Sequence, residues 1–208
     1  MSAKDRSVRF WDKIAQRYSA RPVSDQAAYQ KKLKITREYF RPDMRVLEFG
    51  CGTGSTAIAH APYVKHILAT DISSKMVEIA KSKAAAENVD NVTFQVGALE
   101  DLDIPEHSVD AVLGLSILHL LENRETAIRN VHKFLKPGGI FVSSTACLGD
   151  KMKWFGLIGP IGCALGLIPL VRVFSRSELE HSLTAAGFEL DRVWQPDKGI
   201  AVFIVARA

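Results

Sequence analysis

Cysteine is scarce in this sequence, and its spacing excludes two kinds of site. The 208 residues contain three cysteines, Cys51, Cys147 and Cys163, which are far apart and form no CxxC pair. An odd, scattered set indicates neither a disulfide framework nor a zinc site. We therefore expect no metal, and we expect Cys51, which lies in a glycine-rich turn, to be a small packing residue rather than a nucleophile.

The N-terminus lacks the apolar run of a secretory signal. Charged residues recur throughout the first 18 positions, so a cleaved leader is not indicated and a cytoplasmic protein is the default expectation. Internal repeats and low-complexity tracts are also missing. With 47% hydrophobic and 24% charged residues, the composition is typical of one globular domain over 1–208.

The net charge of +4 is unevenly distributed. Residues 1–45 contain twelve Lys or Arg against five Asp or Glu, and the rest of the chain is mildly acidic. A solvated helix face explains such an excess, and attraction to an anionic substrate or to a membrane surface is the alternative.

Apolar runs alternate with longer amphipathic segments, which predicts a parallel sheet covered by helices. Residues 1–40 are expected to form a helical cap, with Phe10, Trp11, Ile14 and Tyr18 on one face. The five parallel strands are predicted at 46–49, 66–70, 92–96, 111–115 and 140–145, with helices at 74–87 and 124–135 and a stop at 136–139. A helix at 175–186 and an antiparallel pair at 188–194 and 201–206 complete the α/β fold.

The segment RVLEFGCGTG at 45–54 is the most informative part of the sequence. A short buried strand ends at Glu48 and Phe49, and Gly50, Gly52 and Gly54 then allow a tight turn against a ligand. A carboxylate at this turn would repel a pyrophosphate and attract an ammonium or sulfonium. The dinucleotide fingerprint GxGxxG also fails, because Ser55 stands where its last glycine belongs.

Residues that follow the other strands are expected to complete the same site, because ligands bind beyond the carboxyl ends of parallel strands. Asp71 is suited to accept hydrogen bonds from two ribose hydroxyls. Ile72 and Met76 could enclose a purine ring, although a core role for Met76 is an equal alternative. The candidate binding residues around the turn and this ring are Glu48, Gly50, Cys51, Gly52, Thr53, Gly54, Asp71, Ile72, Met76, Ala98, Leu99 and Leu115.

In this order, the motifs resemble the class I S-adenosylmethionine-dependent methyltransferases, in particular the branch acting on small molecules and in quinone pathways. They are VLEFGCGTG at 46–54, Asp71, GALEDL at 97–102, VDAVLGLSILHLL at 109–121 and LKPGGIFVSS at 135–144, preceded by FWDKIAQRY at 10–18. The resemblance implies a doubly wound, Rossmann-like sheet of seven strands in the order 3-2-1-4-5-7-6, the last antiparallel. It also implies S-adenosyl-L-methionine as cofactor, no metal, and Tyr18 near the cofactor. Where the family often has an Asp that binds the adenine amino group, this chain has Ala98, so backbone and Leu99 are left to that task.

A general base is needed only if the acceptor loses a proton, and His119, just after the fourth strand, is the candidate. The alternative is a histidine bonded to backbone at a helix start. If it is the base, His119→Ala lowers turnover at least about tenfold without unfolding the protein, and unchanged turnover would remove the assignment.

Acceptor identity should depend on 154–171, eighteen residues without charge that contain four glycines and two prolines. Those glycines and prolines argue against one long membrane-spanning helix. We expect a hydrophobic lid within 147–174, with Trp154, Phe155, Leu157 and Ile158 as walls for a small, partly apolar acceptor. A core helix or a dimer face is one alternative, and a patch that dips into a bilayer to collect a lipid-like or quinone acceptor is another.

Two further expectations concern function. Nucleic acid is not expected as a substrate, because GLSILHLL replaces the NPPY-type turn and no basic, aromatic platform is present. A sensor that binds the cofactor, or an inactive partner subunit, would share the same turn, so binding and turnover have to be measured separately.

Overall fold

The computed structural model describes residues 2–152, 154, 156, 162–163, 167–196 and 199–208, which form an α/β sandwich. The strands are β1 (Arg45–Phe49), β2 (His66–Asp71), β3 (Val92–Val96), β4 (Val109–Leu115), β5 (Leu135–Ala146), β6 (Glu189–Trp194) and β7 (Ala201–Arg207). The helices are α1 (Ala3–Ser19), α2 (Gln26–Arg37), α3 (Ser55–His60), α4 (Ser74–Ala86), α5 (Arg124–Phe134) and α6 (Arg176–Ala185). None of the helices described has both the length and the apolar character needed to cross a membrane.

The seven strands form one sheet in the order β3-β2-β1-β4-β5-β7-β6. Strands β1 to β5 are parallel, whereas β7 runs antiparallel to both β5 and β6. This confirms the expected order and the antiparallel last strand. The chain order reverses beside β1, and this switch point leaves a crevice at the carboxyl ends of the central strands.

Apolar side chains of β1 point to both faces of the sheet, so helices must cover both faces. Val46 packs into one apolar cluster with Ile67 and Leu113, and its neighbour Leu47 packs into a second cluster with Val112. Successive side chains of a strand point to opposite faces. Both faces of the central strands are therefore buried, as a parallel sheet requires.

The N-terminal cap consists of two helices rather than one helical stretch. Ser2 and Asp5 form a reciprocal capping box at the start of α1, and Asp25 caps α2 by accepting a hydrogen bond from the backbone of Ala28. Pro22 lies between them. A capping aspartate that follows a proline starts a new helix, which explains the break.

The largest difference from the sequence expectations is at 135–139, which was expected to end a helix and form a stop. The strand β5 already begins at Leu135, which pairs with Val109. Gly138 has φ 75°, and its backbone N–H donates to Ala208 O at 2.8 Å. Pairing with the C-terminus thus draws these residues into the sheet. The other expected elements agree to within two residues at their ends, and α3 was not anticipated.

Candidate functional site

A cleft lies at the switch point, above the carboxyl ends of β1 to β4 and beneath α1. Its empty volume, including the open mouth, is about 1070 Å³. Its lining includes nine of the residues expected from the sequence: Tyr18, Gly50, Gly52, Asp71, Ile72, Met76, Ala98, Leu99 and Leu115. Further lining residues, which sequence reasoning missed, include Lys4, Ser7, Trp11, Ser116, Ile117, Leu120, Leu121, Pro169 and Leu170.

Gly52 opens the floor of the cleft. Its φ is 54°, and its backbone N–H donates to Asp71 Oδ2 at 2.9 Å. A Cβ placed on Gly52 would have Tyr18 Cε1 as its nearest neighbour, at 3.9 Å. The missing side chain therefore leaves room in which a ligand can approach the backbone.

Gly54 has a structural role, which differs from the expectation that it faces the ligand. Its φ is 76°, and a Cβ there would lie 2.7 Å from Phe94 Cε1 and 2.8 Å from Ala80 Cβ. The glycine lets α3 start directly against the core. Thr53 is likewise turned away from the cleft, since its hydroxyl accepts a hydrogen bond from Lys83 Nζ at 2.9 Å.

Cys51 also lies outside the lining of the cleft. It belongs to the apolar cluster on one face of the sheet, and burial raises the pKa of its thiol well above the usual value. A thiol held in its protonated form is a poor nucleophile. The structure thus agrees with a packing role for this side chain.

Glu48 is buried beneath the turn and does not line the cleft, in contrast to the simple expectation of a carboxylate facing a ligand. The residue is 2% exposed, and its Oε2 has no hydrogen-bond partner among the described residues. Burial, and secondarily the negative charge of Asp71, raises the pKa of Glu48 to about 8. In the ligand-free protein this group is therefore mostly protonated at neutral pH.

Asp71 links the glycine turn to helix α1. Its carboxylate accepts backbone hydrogen bonds from Gly52 and from Ser73, each at 2.9 Å. The hydroxyl of Ser73 in turn donates to Asp12 Oδ1 at 2.6 Å. Burial raises the pKa of Asp71 above its usual value, although the two backbone hydrogen bonds oppose the shift. Asp12 lies in the FWDKIAQRY segment but was not singled out from the sequence, so only the structure reveals its contact with this network.

Apolar side chains line the cleft on the β2 and β3 side of Asp71. Ile72, Met76, Ala98 and Leu99 all contribute to this wall, and Met76 and Leu99 are buried. The structure therefore brings together the residues expected to enclose a purine ring. Because Met76 is almost completely buried, it belongs to both the core and the wall.

An aromatic wall on α1 closes the cleft from above. Trp11 and Tyr18 both line it, and their rings meet edge to face with centroids 6.1 Å apart. Although Tyr18 is 47% exposed, its partial burial, and then the nearby charge of Asp71, raises its pKa. Trp11 lies seven residues before Tyr18, and the one-face pattern expected for α1 was the signal that could have identified it.

Beyond β4, the chain adopts a strained conformation at Ser116. This residue lines the cleft, has φ 58°, and its backbone N–H donates to Ser144 O at 2.6 Å. A left-handed serine is unusual, and such residues concentrate at functional sites. No sequence signal distinguished Ser116 from its neighbours.

His119 follows in the same connection but is absent from the lining of the cleft. Its Nδ1 is buried and has no hydrogen-bond partner among the described residues, and burial lowers the pKa of His119 to about 4. The imidazole is therefore neutral at neutral pH, and it is a weak base. Its catalytic role stays a prediction.

The hydrophobic segment is described only in part. Phe155, Leu157 and Ile158, expected as walls of the acceptor site, lie outside the described residues. Trp154 is 55% exposed and is not part of the lining. From the end of the segment, Pro169 and Leu170 do line the cleft. In addition, Arg172 N donates to His119 O at 2.7 Å, which fixes this end beside β4.

The polar groups and apolar walls of the cleft suit a nucleoside. It offers a carboxylate at Asp71, open backbone at Gly52 and apolar walls. Within the described ranges, no three His, Cys, Asp or Glu side chains are grouped so that they could hold a metal ion. A carboxylate with free lone pairs can accept hydrogen bonds from hydroxyl groups, so Asp71 fits a ribose.

Comparison with known proteins places this arrangement in a family. A methyltransferase domain family matches residues 46–139. A methyltransferase of Bacillus subtilis (strain 168), YcgJ, is 38% identical over 110 residues, which are 53% of this chain and 44% of that protein. The demethylmenaquinone methyltransferase of Symbiobacterium thermophilum is 30% identical over 148 residues, covering 67% of this chain and 59% of that protein. The chain belongs to the class I S-adenosylmethionine-dependent methyltransferases. It spans about half the length of these curated relatives.

Solved structures agree on the fold. The YcgJ protein has a TM-score of 0.68 at 22% identity, over 86% of this chain and 96% of that one. Geranyl diphosphate C-methyltransferase from Streptomyces coelicolor A3(2), solved with Mg²⁺, geranyl diphosphate and S-adenosyl-L-homocysteine, has a TM-score of 0.79 at 14% identity, over 100% and 98% of the two chains. Membership of the family implies binding of S-adenosylmethionine.

Proposed function

We propose that the protein transfers a methyl group from S-adenosyl-L-methionine to a small, at least partly apolar acceptor. The observation that carries the proposal is the hydrogen bond that Gly52 N–H donates to Asp71 Oδ2 at the floor of the cleft. It joins the open glycine turn to the acidic residue suited to a ribose. The cofactor would then extend from the turn toward the wall of Ile72 and Leu99.

When bound, the cofactor supplies an electrophilic methyl carbon attached to a sulfonium. The protein's part is to hold the acceptor in line with that carbon and to exclude water. The cleft is suited to this task because Trp11 covers it from α1, while Leu115 and Leu170 line it beside β4. We place the acceptor at the β4 side, since the β2 and β3 side is assigned to the nucleoside.

Glu48 is suited to a cationic ligand, but as a buried acid that ionises when the cation binds rather than as a permanent charge. Its carboxyl is protonated in the ligand-free protein because burial raises its pKa to about 8. A sulfonium or ammonium near the turn would lower that pKa and favour release of the proton. The negative charge would then arise only when the cation is present to stabilise it.

Relatives support a small acceptor. Those matching this chain include the demethylmenaquinone methyltransferase above and a malonyl-[acyl-carrier protein] O-methyltransferase of Priestia megaterium, 32% identical over 59% of this chain and 44% of that protein. The cleft lining of this chain is largely apolar, which agrees with an acceptor that has an apolar body.

Calorimetry and a methylation screen test the proposal. We expect S-adenosylmethionine and S-adenosylhomocysteine to bind, and Asp71→Asn to weaken both at least about tenfold, because one amide oxygen cannot replace two carboxylate oxygens. The matched control is Asp103→Asn, an exposed residue outside the cleft. Wild-type protein that binds neither compound would refute the proposal, and binding without methyl transfer to any small acceptor would favour a sensor.

A further inference from the structure

Lys32 on α2 differs from the exposed lysines beside it. The residue is half-buried, whereas Lys31 and Lys34 are exposed. Its Nζ donates to the hydroxyl of Ser144 at 2.8 Å. In the part of the chain that the structure describes, no carboxylate lies within ion-pair distance of this ammonium. A half-buried positive charge therefore has a neutral hydrogen-bond partner.

Ser144 and Lys32 are not part of the cleft lining, but Ser144 adjoins two residues that are. Ser144 lies near the carboxyl end of β5 and pairs with Leu115 of β4. Its carbonyl oxygen accepts the hydrogen bond from Ser116 N. Leu115 and Ser116 both line the cleft. Lys32 therefore lies on the β4 and β5 side, and Asp71 lies on the β2 side, because β1 separates the two halves of the sheet.

The second observation concerns the desolvation of the Lys32 ammonium. Burial lowers the pKa of Lys32, and the charge of Asp25 at the start of α2 only partly opposes this shift. The ammonium is thus incompletely solvated. The hydrogen bond to Ser144 has a charged donor and a neutral acceptor, whereas an anionic oxygen would add coulombic attraction to the ammonium. An anion on this side of the cleft would be a better partner than the hydroxyl of Ser144.

Tyr29 is a second side chain of α2 that contacts the same edge of the sheet, although no residue of α2 is part of the cleft lining. It precedes Lys32 by three residues, which places the two side chains on one face of the helix. The Tyr29 hydroxyl lies 3.3 Å from Thr56 Oγ1 at the start of α3, and the pKa of Tyr29 is raised by burial and, to a smaller extent, by Glu48. This face of α2 therefore covers the carboxyl edge from β1 to β5.

We propose that Lys32 binds an anionic oxygen of the methyl acceptor, which is either a carboxylate or an ionised hydroxyl group. The acceptor class is then a small molecule with an apolar body and one acidic oxygen. An acceptor hydroxyl would lose its proton to solvent as it meets the ammonium, so Lys32 stays protonated throughout. This inference rests on the proposed function, since it assigns the β4 side of the cleft to the acceptor.

Two matched pairs of probes test it by calorimetric titration. 1-Naphthoate is compared with 1-naphthamide for the carboxylate, and 1-naphthol with 1-methoxynaphthalene for the hydroxyl. Each probe is titrated with and without saturating S-adenosylhomocysteine. The variants are Lys32→Met, Lys32→Arg as the charge-keeping substitution, and Lys34→Met as the exposed control on the same helix.

We expect the wild type and Lys34→Met to prefer the acidic member of at least one pair by about tenfold. Lys32→Met should lose the preference, and Lys32→Arg should keep most of it. Equal affinity within both pairs, or a preference that survives in Lys32→Met, would overturn the assignment. A Lys32-dependent preference in protein that does not bind S-adenosylhomocysteine would instead contradict the proposed function and leave this anion site standing.

Discussion

Replacing Glu48 by glutamine should change how the stability of the ligand-free protein depends on pH. The substitution keeps the shape of the side chain and removes its acid. Because burial raises the pKa of Glu48 to about 8, the folded protein keeps a proton that the unfolded chain releases at a lower pH. Unfolding is then favoured as the pH rises, and Glu48→Gln removes this effect.

The magnitude follows from the two pKa values. The usual pKa of a glutamate is 4.5, and in the folded protein it is about 8. Between these values, the free energy of unfolding of the wild type falls by about 1.4 kcal/mol per pH unit relative to the variant. The full difference, reached above the folded pKa, is about 5 kcal/mol. Below the usual pKa, both states bind the proton and the effect vanishes.

Chemical denaturation without ligand, at about pH 5.5 and about pH 8.5, measures this difference. We expect Glu48→Gln to gain stability over the wild type between the two conditions by about 3 kcal/mol. A thermal midpoint would rise by about 2 to 4 °C for each kcal/mol in a chain of this size. Glu106→Gln, an exposed control, should follow the wild type. A wild-type-to-variant difference that is constant with pH would refute the reasoning.

Three other predictions concern His60, Asp12 and the glycine pair Gly52 and Gly54. His60 is fully buried, neither ring nitrogen has a hydrogen-bond partner among the described residues, and burial lowers its pKa to about 3. Because the folded protein cannot take up the proton that the unfolded chain binds, stability is lost as the pH falls from 6.5. His60→Leu should therefore resist acid unfolding in thermal scans, and an unchanged acid midpoint would contradict this. Asp12→Asn should weaken S-adenosylhomocysteine binding by about three- to tenfold with little loss of stability, since Ser73 loses its charged partner; calorimetry that gives the wild-type affinity would show that Asp12 does not support the site. Gly54→Ala should destabilise the fold by about 2 kcal/mol or more because its Cβ meets the core. Gly52→Ala should cost about 1 kcal/mol in stability and mainly reduce S-adenosylhomocysteine binding. Equal effects of the two substitutions on unfolding and on calorimetric affinity would argue against this division of roles.

Local patterns in the sequence were sufficient to locate the strands, apart from the start of β5. The apolar run before Gly50 and the acidic end of β2 are adjacent in the chain to the turns they serve, so their roles can be inferred from spacing. The family resemblance then supplied the order of the strands. Where pairing partners are distant in the sequence, the inference failed: the start of β5 at Leu135 depends on Val109 and on the C-terminus at Ala208.

Side-chain direction and desolvation were decided only by the tertiary structure. Gly52 and Gly54 are equivalent in the motif, yet one opens to the cleft and the other packs on Phe94, because the chain curves between them. The charge of Glu48 depends on how completely helices and turn exclude water, and no local pattern encodes that exclusion. In this protein the sequence alone determined that the residues following β1, β2 and β3 meet at the carboxyl edge of the sheet, since strand ends are set by local patterns. Which of them face the cleft, and which keep a proton there, was decided by packing between segments far apart in the chain.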